Sequence, residues 1–101
     1  MAFICLLELE LHLHEVGDLK GKRKHVTSFK SQLQQRFGAA VAETDHQDLW
    51  QRATLSVALV APERAQCEER ADAIDRFARA RFGDWVRCDR TIRSTADLRG
   101  G

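Results

Sequence analysis

Four cations crowd one short stretch, Lys20, Lys22, Arg23 and Lys24. If they open a helix, they oppose the partial positive charge of its N-terminus. A bound anion relieves that opposition, and the free N–H groups of the first turn help to hold it. The chemistry this favours is phosphate or RNA-backbone contact; the plainer alternative is a solvated helical face. Trp50 and Arg52 form a second cluster. The Trp50 indole is expected to pack over a hairpin and the end of the first helix. Its flat face is also what stacks on a base, with Arg52 beside it for phosphate, so both residues stay in the candidate set. His12 and His14 lie two apart with Glu10 before them, a spacing that can hold a metal ion. Outward alternation along a strand accounts for the same residues, and no metal or other cofactor is expected.

Composition narrows the classes. The chain has 101 residues, 44% hydrophobic and 31% charged, which is globular rather than disordered. The formal net charge of +1 gives no bulk attraction to nucleic acid or membrane, so any electrostatic function rests on where the charges sit. Three widely spaced cysteines, Cys5, Cys67 and Cys88, form no C-x-x-C pair and read as small apolar residues in a reducing compartment. No basic segment followed by an apolar run opens the chain, and no membrane span is expected. A cytoplasmic location follows as the expectation. No G-x-S-x-G, P-loop or recognisable Cys–His motif is present, so the chain is not expected to be an enzyme.

Phe3 to His14 alternates, with Cys5, Leu7, Leu9 and Leu11 on one face and Glu8, Glu10 and His12 on the other. That is a half-buried strand. Asp18 is placed to cap a helix from Leu19 to Phe37, with Leu19, Val26, Phe29, Leu33 and Phe37 inward and Gly38 at its end. Ala39–Thr44 is a weaker strand, Asp45–Trp50 a polar loop, and Arg52–Val60 alternates again. Pro62 suits the first turn of a second helix running to Phe82, with Cys67, Ala71, Ile74 and Ala78 inward. Trp85–Arg93 is the last strand. A domain over residues 1–93 and a flexible tail over 94–101 complete the division.

The order is βαββαβ, an α+β, ferredoxin-like sandwich with a four-stranded antiparallel sheet and two helices on one face. This topology brings three connections to one end of the sheet: the first strand-to-helix loop, the central hairpin, and the exit of the second helix. On the open face, Ile4 and Leu6 should neighbour Ala58 and Val60. The resulting apolar patch is a candidate homodimer interface.

The run Leu19-Lys20-Gly21-Lys22-Arg23, followed by Arg36-Phe37, resembles the L-K-x-K-R signature of the YlxP-like family of small bacterial proteins. Ala42-Glu43 and the run from Asp45 through Leu49-Trp50-Gln51-Arg52-Ala53 match it as well. The sequence departs from that pattern at His14, Asp18 and Gly21, where proline, serine and an acidic residue are common. The resemblance implies a ferredoxin-like fold. Members are often encoded beside transcription and translation factors, which implies an RNA- or ribosome-associated accessory role by association. The site then expected is Lys20, Lys22, Arg23, Trp50 and Arg52, touching phosphate. A homo-oligomeric structural or small-anion-binding domain is the alternative.

Overall fold

The computed structural model describes residues 1–100. Its elements run β1 (Phe3–His12), α1 (Leu19–Phe37), β2 (Ala40–Asp45), β3 (Arg52–Ala61), α2 (Arg64–Phe82), β4 (Val86–Ser94) and the one-turn helix α3 (Thr95–Leu98). A 3-10 turn, Gly83–Trp85, joins α2 to β4. The strands lie in the order β2-β3-β1-β4, all antiparallel, which is the expected ferredoxin-like arrangement.

The alternation of β1 becomes its two faces. Cys5, Leu7, Leu9 and Leu11 are buried under the helices, while Leu6, Glu8 and His12 face outward. β3 sends Ala53, Leu55, Val57 and Leu59 to the same core. Phe29 and Leu33 of α1 and Cys67, Ala71, Ile74 and Ala78 of α2 close it from above. Burial pushes the Cys5 and Cys88 thiols above their ordinary range, which keeps them protonated and unreactive. Asp18 caps α1 as its type predicts, accepting from the Gly21 N–H at 2.7 Å. Gly38 ends α1 in the left-handed region, where a side chain is strained.

Several boundaries differ from the sequence reading, those of β2, β3 and β4 by a single residue. β1 stops at His12, although the Leu13 N–H still donates to the Gln51 carbonyl at 2.7 Å in the register of the ladder. Pro62 lies before the second helix rather than in its first turn. A proline holds the residue ahead of it extended, so Ala61 stays in β3, and Glu63 then serves as N-cap without a side-chain bond. The segment expected to fray forms structure instead. Ser94 accepts from the Asp97 N–H at 3.0 Å, and Asp97 accepts from the Ser94 N–H at 3.2 Å, a reciprocal capping box. Those bonds hold the Asp97 carboxyl below its ordinary range. Thr95 donates to the Ala2 carbonyl at 2.8 Å, so the turn is tied to the start of the chain. Gly101, the last residue of the expected tail, lies outside the described residues.

Candidate functional site

The three connections do converge. The first loop meets the hairpin through the Leu13–Gln51 bond. It meets the exit of α2 where the His14 ring lies against Trp85, with centroids 3.8 Å apart. α1 meets the hairpin through Lys22.

Lys22 is the main correction to the expected site. Its side chain is buried, the residue being only 1% exposed, and cannot reach an external phosphate. Its Nζ sits 2.9 Å from Glu43 Oε2 and donates to the His46 carbonyl. His46 occupies the left-handed region at φ 63°, a conformation a non-glycine residue holds only when neighbours fix it. The buried ammonium is one such fixing group. The helical phase explains the burial. Lys22, Val26, Phe29 and Leu33 lie at i, i+4, i+7 and i+11, the inward stripe of α1.

The other expected cations stay outside. Lys20, Arg23, Lys24 and Arg52 are exposed, and among the described residues none has a carboxylate within 4 Å. No acidic residue sits in the first turn of α1 to offset them. Trp50, expected to pack over the hairpin, is 47% exposed, beside an equally open Leu49. Arg52 emerges on the outer face opposite His12 and lines an open groove with Glu10, Trp85 and Arg87. Arg87 in that groove is engaged, lying 3.9 Å from Glu10 and 3.6 Å from Asp89.

A second groove, of about 350 Å³, opens on the other side of Trp85. His12, His14 and Glu15 come from the end of β1 and its loop, His25 from α1, and Arg81 and Phe82 from α2. The rings of His12 and His14 lie 4.7 Å apart. Among the described residues, no group of three or more His, Cys, Asp or Glu side chains is gathered as a metal site. Arg81 is held by Gln32 and Ser28, both neutral, and lies over the rings of Phe29 and Phe82. Its charge therefore stays uncompensated. Sequence reasoning placed Trp85 at the start of the last strand but did not connect it to His25 or Arg81. No local pattern joins residues so far apart in the chain.

On the open face, Ile4 pairs with Val60 and Leu6 with Ala58, as expected. Leu6 is 38% and Val60 62% exposed, while Ile4 and Ala58 are half-buried. α3 does not cover Leu6 or Val60. Among the described residues, no helix is long and apolar enough to cross a membrane.

Comparison with known proteins agrees with this frame. The YlxP protein of Bacillus subtilis (strain 168), itself uncharacterised, is 28% identical over 92 residues, covering 91% of this chain and 96% of that one. A solved structure, the de novo designed protein Foldit4, matches with a TM-score of 0.63 over 93% of this chain and 98% of that one. At 7% identity that likeness speaks to the fold alone. The model of a family described as "Protein of unknown function (DUF503)" matches residues 4–90, which include both the Leu19–Arg23 run and the Asp45–Ala53 run. With the family model matching residues 4–90 and the relative aligned over nearly the whole chain, this protein belongs to the DUF503 family.

Proposed function

We propose that the protein is a non-catalytic, cytoplasmic RNA- or ribosome-associated accessory domain that touches backbone phosphate with Lys20, Arg23 and Arg52. The observation that carries the reading is the set of exposed cations at the start of α1, Lys20, Arg23 and Lys24, without carboxylate partners among the described residues, with the open Trp50 indole on the adjoining hairpin; Arg52 would extend that surface onto the outer face of the sheet. Cations supply sequence-independent attraction to phosphate, and an exposed indole supplies a stacking surface. Lys22 serves this surface by position, because it pins the hairpin against α1. Three unpaired cysteines support a reducing compartment.

The test is fluorescence anisotropy of a labelled single-stranded RNA at several salt concentrations. The Lys20→Glu/Arg23→Glu variant should keep its fold and bind RNA more weakly. Loss of two phosphate contacts makes the slope of log affinity on log salt shallower by roughly 1.4. Parent-like binding and slope in that variant would place the RNA surface elsewhere, and absence of RNA binding by the parent would end the reading.

A second reading, homodimerisation through the outer face, is favoured by the neighbouring Leu6 and Val60 side chains on an otherwise charged sheet. Burying side chains of this size contributes roughly 1.5–3 kcal/mol each. Light scattering at micromolar concentration should give twice the monomer mass for the parent and the monomer mass for Leu6→Glu. A parent that stays monomeric removes this reading.

A further inference from the structure

We infer that the groove between the end of β1, α1 and the exit of α2 is a binding site for a nucleotide-sized planar aromatic anion, with a base on Trp85 and its phosphate at Arg81. The site is separate from the basic surface at the start of α1, and the inference stands on different side chains.

Four observations converge. The groove holds about 350 Å³, at the small end of the ~300–1,000 Å³ usual for ligand sites and fit for one nucleotide rather than a larger cofactor. Trp85 is 54% exposed. The His14 ring, which lines the same groove, lies tilted against it at 3.8 Å, so the indole is braced on one side while about half of the residue stays open. A braced open indole is a stacking platform that costs little ordering on binding.

Arg81 is braced in the same sense. Gln32, Ser28 and two phenyl rings hold it, and none of them neutralises it. A planar guanidinium fixed by neutral partners suits a phosphate group. Among the described residues Glu15 is the sole acidic one lining this groove, against Arg81 and the nitrogen atoms of His12, His14 and His25. Leu13 and Val16, both buried, add an apolar wall. Flat ring, cationic fork and apolar wall together select a ligand with an aromatic part and an anionic part. Inorganic phosphate would satisfy only one half of the site, and a nucleoside only the other.

A nucleotide reaches this groove either free or as one unit of an RNA strand. Titrations followed by ¹⁵N-resolved NMR on the full chain separate these sources, using AMP, adenosine, inorganic phosphate and a short oligoadenylate. AMP should shift the Trp85 indole N–H and the amides of His14 and Phe82 saturably, whereas adenosine and phosphate alone bind more weakly. Trp85→Ala should weaken AMP binding by at least about fivefold, and Trp85→Phe should retain most of it. Arg81→Gln should weaken it by about tenfold. Oligoadenylate binding tighter than AMP identifies the strand as the source; equal affinity identifies the free nucleotide. The inference is overturned if neither probe shifts these signals at low millimolar concentration, or if both substitutions leave binding unchanged. The Lys20→Glu/Arg23→Glu variant keeps the two proposals distinct. RNA binding lost in that variant, with a silent groove, removes the groove alone. AMP in the groove without RNA binding by the parent removes the RNA reading alone.

Discussion

Replacing Lys22 by methionine should destabilise the domain by about 2–4 kcal/mol, although a lysine in a basic cluster would ordinarily be a neutral surface site. Methionine keeps most of the apolar stem that packs beside Val26 and removes only the ammonium. The loss strands Glu43. Its Oε2 is buried and, among the described residues, has no hydrogen-bond partner, so the carboxylate would lose its one compensating charge, 2.9 Å away. A fully buried pair broken on one side costs about 3–5 kcal/mol. The Glu43 side chain is 24% exposed and can partly rehydrate, which places the expectation toward the lower part of that range. Substituting both partners, Lys22→Met with Glu43→Leu, removes the stranded charge and should recover most of the loss. Urea unfolding of the parent, both single variants and the double variant gives the coupling directly. A Lys22→Met variant within about 0.5 kcal/mol of the parent would show that the pair does not anchor the hairpin. The result also governs how the basic surface is probed. Charge reversal at Lys22 sets two carboxylates together in the interior, so a loss of RNA binding there would report unfolding rather than lost contact.

Lys22 also shows what the sequence did and did not make legible. Strand β1 was readable because one buried and one open face impose a period of two, and helix α1 because Asp18 and Gly38 supply the chemistry its ends require. The burial of Lys22 was readable too, had residue type not masked position, since it falls four residues before Val26 on the inward stripe. A charge cluster invites counting, while the helix sorts its members by angle. The capping box at the end of β4 is a similar case: Ser94 and Asp97 stand at the motif's spacing, in a segment whose terminal position suggested fraying. The groove was not readable. His14, His25, Arg81 and Trp85 belong to separate elements, and only the ferredoxin-like closure brings them together. Their convergence was foreseeable as a meeting of three connections, but the identity of the rings and cations on its walls depends on the phase and length of each element.

The same end of the sandwich carries both proposed surfaces for a topological reason. β1 leaves the sheet there, α2 delivers the chain back to β4 there, and the β2–β3 hairpin turns there. Side chains from these connections need not fill the core, so they can stay polar and exposed while the packed elements fix their positions. The opposite end has a structural use in the tie between Ala2 and Thr95.

Phe29→Ala should be the most damaging single truncation at this junction, costing about 3–5 kcal/mol. The side chain is fully buried. It stacks parallel to Phe77 at 5.7 Å and meets Phe82 edge-on at 4.9 Å, so it joins the middle of α1 to the last turns of α2. Alanine leaves a cavity bounded by two rings that the helix ends cannot easily close. For a domain of this size each kcal/mol lowers the melting temperature by about 4–8 °C, so a fall of roughly 12–40 °C is expected in a calorimetric scan. A total stability of about 5–15 kcal/mol leaves this variant folded only narrowly. Phe29→Leu should be milder, roughly 1–2 kcal/mol, because much of the volume is kept. It carries the sharper functional consequence. Arg81 lies over the Phe29 ring, with its guanidinium carbon 5.6 Å from the centroid, so the leucine variant keeps the fold while removing one of the two rings that brace the cation. AMP affinity should then fall in Phe29→Leu although the residue does not line the groove, and a melting temperature near the parent's in Phe29→Ala would show that the aromatic cluster does not join the helices.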